Sequence, residues 1–257
     1  MEININCDLG ENSKLHSIEN DPLLLNIVNS ANIACGYHAG DKPTMEKTIE
    51  ISKKNSVSIG AHPSFKDREN FGRKRLNLSP TEVTKLITEQ INILSEIAQN
   101  KETKVTHIKP HGALNNMACE NYELAEIISK SIIKTNKDLI FLVPTGSEME
   151  KAGKKFGMKV AVEIFADRNY EDSGDLVSRS KKNAMITDPE IAKQHVIKMI
   201  KNQSINCFSG KQIPCKIDSV CVHGDEMKAV NTAREIKDGL LLCGVTLMPL
   251  DKMKKFI

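Results

Sequence analysis

Residues 31–41 read ANIACGYHAGD: a short apolar run that stops at Cys35 and breaks into two glycines, a tyrosine, a histidine and an aspartate. Similar endings recur in IGAHPS (59–64), IKPHGAL (108–114) and VCVHGDE (220–226). Each is a strand-like run that finishes in a histidine close to Gly or Pro. In a parallel (β/α) barrel the C-terminal strand ends converge on one face, where active sites are built. Repeating one ending at four strand ends therefore points to both a fold and a site.

Around these stretches, further strand candidates lie at 2–7, 57–61, 104–109, 139–143, 159–165, 218–222 and 243–247. Helix candidates separate most of them. The strongest, about 80–99, opens with Ser79 and Glu82 as a capping box around Pro80. Val83, Leu86, Ile87, Ile91, Leu94 and Ile97 then share one face at helical spacing. TDPEIAKQHVIKMIK from 187 begins alike, with Asp188 before Pro189. NYELAEIISKSIIK and DEMKAVNTAREIK are also amphipathic. Near-continuous apolar strands alternating with helices imply a mainly parallel sheet. Seven or eight such units predict an irregular α/β barrel, one (β/α) domain over 1–257, and a doubly wound sheet is the alternative. Two short runs around Ser209-Gly210 read as a hairpin insertion at 204–216, outside the barrel and apart from the chemistry.

Bulk properties exclude several functions. With 257 residues, 40% hydrophobic and 27% charged, the chain has an ordinary globular composition. A net charge of +3, few aromatics and no Trp argue against nucleic acid or a polybasic membrane surface. The opening MEININCDLGE lacks an export signal, and no run is long enough to span a bilayer, so a cytoplasmic location is expected. Seven scattered cysteines without a CxxC pair read as reduced packing residues. There is no GxGxxG after the first strand, and no GxxxxGK[ST], GxSxG or HExxH.

The candidate site gathers groups that end strands. His38, His62, His111 and His223 are candidate proton carriers, with Asp8 and Lys109 beside them as catalytic candidates. Glu11, Asp41, Glu163, Asp167 and Asp225 follow strands and suit substrate binding or orientation. Arg168 and Arg179 can grip a carboxylate or phosphate. For Asp167 and Arg168 a buried pair that braces the loop is an equal alternative. A Cys35–His38 nucleophile pair is the weaker reading of Cys35, which sits among apolar residues. His107 reads as structural, and His16 and His195 as surface residues.

The motifs NCDLGE (6–11), ANIACGYHAGD, GAHPSF with DR and FGR (60–73), KPHGAL, EIFADRNY (163–170), G-x-LV-x-R (174–179) and VCVHGDE with KAV (220–230) stand in one order. In that order the chain resembles the LamB/YcsF family, the A subunits of bacterial 5-oxoprolinase. The resemblance implies an irregular barrel similar to the glycoside hydrolase/deacetylase group. It also implies ATP-dependent opening of 5-oxo-L-proline to L-glutamate, in a complex with B and C subunits. ATP with Mg²⁺ would then be the cosubstrate, phosphorylating the amide oxygen before water attacks. Lys109, Arg168 and Arg179 would meet phosphate, and Asp8, Glu11, Asp41, Glu163 and Asp225 could hold Mg²⁺. Two rivals remain. One is a metal-dependent amidohydrolase or sugar deacetylase acting without ATP, its metal on Asp8, His38 and His62. The other is a non-catalytic binding subunit.

Overall fold

The computed structural model describes residues 1–223 and 227–257. Strand β1 (Glu2–Leu9) leads through the short helix α1 (Asp21–Leu24) to β2 (Ser30–Ala34). Helix α2 (Lys42–Lys54), β3 (Ser58–His62), helix α3 (Pro80–Asn100) and β4 (Val105–Ile108) follow. Helices α4 (Gly112–Glu120) and α5 (Tyr122–Thr135) precede β5 (Ile140–Pro144), and α6 (Glu148–Lys155) precedes β6 (Val160–Phe165). After α7 (Pro189–Asn202) come the small strands β7 (Ser204–Asn206) and β8 (Gln212–Pro214). Strand β9 (Ser219–Val222), α8 (Met227–Leu242) and β10 (Thr246–Leu247) complete the order.

Strands β1 to β6 and β9 run parallel and close on themselves, because β1 pairs with β2 on one edge and β9 on the other. Strand β10 adds beside the start of β1, with Glu2 opposite Thr246. The expected irregular seven- or eight-stranded barrel is thus the observed one. The capping box of α3 is present in full, and Asp188 caps α7 by accepting from the Ile191 N–H at 2.9 Å.

Alternation along β1 separates two kinds of interior. Ile3, Ile5, Cys7 and Leu9 join the apolar core packed against the helices. The intervening Asn4, Asn6 and Asp8 point into the barrel. There the lining is polar and cross-linked, unlike the near-continuous apolar strands read from sequence. Ser219 donates to Asn4 at 2.8 Å, Asn6 donates to Ser219 at 2.8 Å, and Asn32 donates to both Asn6 and Asp8 at 2.8 Å. Such a network is stable only when every buried group is paired. Its width depends on Gly60, where a Cβ would lie 2.2 Å from the His107 ring. That ring crosses the barrel, with Nε2 at 3.0 Å from the Asn32 side-chain oxygen Oδ1 and Nδ1 at 3.0 Å from Thr106 Oγ1. His107 is structural, as its place within a strand suggests.

The opposite end is plugged by apolar residues. Ile140, Leu142 and Ala161 pack on Leu250, Met253 and Phe256, a segment with no reading from sequence. Lys255 pins it by donating to Asp218 at 2.5 Å and the Val160 carbonyl at 2.9 Å. Strands β7 and β8 pair antiparallel as a hairpin. It forms its own sheet outside the barrel, yet it packs on the main core and borders the cavity. Ile205 and Cys207 are in the main core, and Ile205, Ile213 and Pro214 line the cavity at the barrel mouth. Among the described residues no helix is long and apolar enough to cross a membrane.

Asp21 yields a testable consequence of local burial. Its carboxylate accepts the Gly10 N–H at 2.7 Å, yet burial dominates and pushes its pKa up to about 6. An acid raised in the folded state binds more protons folded than unfolded between pH 4 and 6. Stability from this group therefore falls as pH rises through that window and stays lower above it. Asp21→Asn should remove the loss, gaining at most about 3 kcal/mol at pH 7 and almost nothing at pH 4. Thermal melts of parent and variant across pH 4–7 test this, and parallel profiles would refute it.

Candidate active site

The barrel mouth holds a cavity of about 530 Å³. Asp8 ends β1 and Glu11 follows it, while His62 ends β3. Lys109 and His111 follow β4, Glu163 lies on β6, and His223 follows β9. All seven line the cavity, with Arg168 and Arg179 on the stretch after β6. The strand-end rule thus gathers most of the candidates. His38 is fully buried behind this wall, and Asp167 stands behind His223. Asp41 is elsewhere, capping α2 by accepting from the Thr44 N–H at 2.9 Å and its hydroxyl at 2.6 Å. Asp225 lies outside the described residues.

Backbone carbonyls fix the ring protons of the two central histidines. His62 Nδ1 lies 2.7 Å from the Lys109 carbonyl, and His111 Nε2 lies 3.0 Å from that of Phe71. A carbonyl only accepts, so these nitrogens carry the hydrogens. In the neutral rings His62 Nε2 and His111 Nδ1 then present bare lone pairs, 3.0 Å apart. Glu11 Oε1 is 3.0 Å from His111 Nδ1 and 3.7 Å from His62 Nε2, and Asp8 Oδ2 is 3.4 Å from His62 Nε2. Four electron-rich atoms meet with no hydrogen between them, and a cation or an added proton must balance them. Burial works against charge on His62, but Asp8 and then Glu11 outweigh it and raise its pKa.

This donor set fits a metal ion. Asp8, His62 and His111 place ligand atoms within 4.8 Å of one another, as do Glu11, His38 and His111. Donors about 3.4 Å apart are what bonds of roughly 2.1 Å to one tetrahedral ion produce. The ring hydrogens held by outer carbonyls match the usual support of metal-bound imidazoles. The trio anticipated from sequence, Asp8, His38 and His62, is not gathered as such. Burial and then the neighbouring His111 lower His38 to about 3, so it is neutral and donates from Nε2 to Glu11 at 2.9 Å.

Lys109 lies below, 3.0 Å from Asp8 and 3.3 Å from Glu163, and donates to Asn6 at 3.2 Å and Cys221 Sγ at 3.1 Å. Burial opposes its charge, but Asp8 overrides and holds the pKa well above the ordinary lysine range. Glu163 is raised by burial, against the pull of Lys109, and its Oε1 has no partner. His223 Nδ1 faces Asp167 at 2.8 Å. Burial lowers this histidine, yet Asp167 wins and raises it. Cys35 donates to the Ile33 carbonyl at 3.3 Å, and burial pushes its thiol up to about 12, so it packs and is no nucleophile. His195 is half-buried against the Tyr170 ring and is not a surface residue.

Asn6, Asn32 and Cys221 support the site but escape a search for strand ends. The polar-every-second-residue pattern of ININ in β1 was the available signal.

The expectation of ATP with Mg²⁺ as cosubstrate, and of an ATP-hydrolysing 5-oxoprolinase mechanism, is corrected by this cluster. The deep end is an imidazole–carboxylate donor set, whereas Mg²⁺ on nucleotides prefers oxygen ligands. Lys109, the central cation expected for phosphate, is already shared between two carboxylates. Asp8, Glu11 and Glu163 would repel a polyphosphate placed there.

A model of the LamB/YcsF family matches residues 3–255. The chain is 44% identical to the 5-oxoprolinase A subunit of Clostridium beijerinckii over 252 residues, covering 98% of this chain and 99% of that one. It is 42% identical to the protein of that name from Nitrobacter hamburgensis, over 99% and 100% of the two chains. Its structure is similar to a lactam utilization protein from Thermus thermophilus, with a TM-score of 0.90 and 32% identity over 97% of this chain and 100% of that one. A peptidoglycan N-acetylglucosamine deacetylase domain from Eubacterium rectale shares the fold alone, with a TM-score of 0.50 and 10% identity over 99% and 89%.

Proposed function

The chain belongs to the LamB/YcsF family, and from that premise we propose that it is a metal-dependent amidohydrolase that acts without ATP. The observation that carries this reading is the pair of bare imidazole nitrogens, His62 Nε2 and His111 Nδ1, facing Asp8 and Glu11. The relatives' names supply the substrate class, a lactam of the 5-oxoproline type. The word subunit in those names supports work within a multi-subunit hydrolase, for which B and C subunits are the partners we propose.

His62, His111, Asp8 and Glu11 would hold the ion. A divalent metal there supplies Lewis-acid polarisation of the amide carbonyl and acidifies water. Lys109, charged and shared between Asp8 and Glu163, would hold these two carboxylates in position beside the ion. Glu163, buried with Oε1 unpaired, takes a proton from the incoming water. His223, aligned through Nδ1 by Asp167, turns Nε2 to the cavity and protonates the leaving nitrogen.

Metal analysis of the purified protein, chelation, and add-back of Zn²⁺, Mn²⁺ or Co²⁺ test the reading. Glutamate release from 5-oxo-L-proline is followed in nucleotide-free buffer, with the chain alone and with its partner subunits. Release should vanish on chelation and return with one of the ions. Release that ignores chelation, or absence of any tightly bound divalent ion, defeats the proposal.

A further inference from the structure

Beyond β6 the cavity wall carries two arginines that the amide chemistry above does not use. Arg168 is 7% exposed. One of its terminal nitrogens donates to the Val177 carbonyl at 2.6 Å, and its Nε is buried without a partner. Asp167, adjacent in sequence, offsets part of its charge but accepts no hydrogen bond from it, since its Oδ2 turns to His223. Among the described residues neither Arg168 nor Arg179 forms an ion pair within 4 Å, and the contact of Arg179 is with Met185 Sδ at 3.7 Å. Burying an unpaired guanidinium is costly, and a second like charge beside it adds to the cost. Burial first, and then the neighbouring Arg179, lower the pKa of Arg168. An anion in the cavity would relieve both effects.

We propose that Arg168 and Arg179 form the receptor for a carboxylate carried by the substrate, and so select an acidic lactam over a neutral one. The inference rests on the amidohydrolase reading. Position supports it. Arg168 and Arg179 line the same cavity of about 530 Å³ as Asp8, His62, His111 and Glu163. That volume admits a small molecule carrying both an amide and a carboxylate. A single charge also suits the wall better than phosphate, because Glu163 and Asp175 line it too. Arginine matches a carboxylate with paired N–H donors.

The test is binding, not turnover, on the full chain. Calorimetry or equilibrium dialysis compares 5-oxo-L-proline, its neutral carboxamide and inorganic phosphate. The parent should prefer the acid to the carboxamide by about tenfold or more, since a site built for a polar group rejects the analogue lacking it. Arg179→Gln, at an exposed side chain, should weaken the acid by about tenfold and leave the carboxamide unchanged. Arg168→Gln should do the same more strongly, and Arg168→Lys should recover part of the loss. Arg75→Gln, whose partner is Glu120 at 2.7 Å, should change nothing. Equal affinity of the parent for acid and carboxamide overturns the receptor while sparing the amidohydrolase reading. So does Arg179→Gln with its preference intact, or phosphate held more tightly than the acid. A parent that binds neither lactam sinks both.

Discussion

Asp8→Asn should cost at least about a thousandfold in turnover and empty the metal site, while the barrel remains folded. The substitution keeps size and shape but removes the charge that faces His62 Nε2 at 3.4 Å and Lys109 at 3.0 Å. His62 then loses the partner that most raises its pKa. Lys109 keeps Glu163 at 3.3 Å, which is why the fold should survive with a lowered melting temperature. Elemental analysis, circular dichroism and a turnover assay on one preparation decide it. A variant that retains both its ion and its activity would show that Asp8 only braces the barrel.

Gly60→Ala should be strongly destabilising, at roughly 3 kcal/mol, through overpacking of a core that cannot yield. The added Cβ would sit 2.2 Å from the His107 ring, and Asn32 and Thr106 hold that ring from both nitrogens. Soluble yield should collapse, or the melting temperature fall by more than about 10 °C. Adding His107→Ala should recover part of the loss, so that the double variant is better than the sum of its parts by about 1 kcal/mol. A Gly60→Ala protein that melts like the parent would show that the ring does not dictate the glycine.

The strand-end endings led to the barrel because their cause is local. A strand, a glycine and a polar side chain lie within a few residues of one another. The N-terminal caps of α3 and α7 were legible for the same reason. Asp41 misled because a helix cap and a ligand share the same residue type in the same place after a strand, and only the Thr44 contacts separate them. His38 and His111 follow their strands alike, yet it is His111 that turns a bare ring nitrogen toward His62 and Glu11. That choice depends on the Phe71 carbonyl, brought in from 40 residues away. No spacing rule encodes such an approach. The reading of ATP came from resemblance and not from residues, and the imidazole–carboxylate cluster reverses it. The hairpin was visible, but its seat over the cavity depends on packing against Tyr170.

The plugged end of the barrel bears on how the chain reaches this state. Asn4 finds the Met248 carbonyl 244 residues away and Ser219 215 residues away, so β1 is finished by its most distant relatives in sequence. High contact order slows folding, because loop entropy is lost before the distant pairings reward it. Until β9 docks, a partly assembled sheet has two raw edges and an inner face of unsatisfied asparagines and serines. That intermediate is both sticky and unable to bury itself. Closure should therefore come late and all at once, with the apolar plug following it.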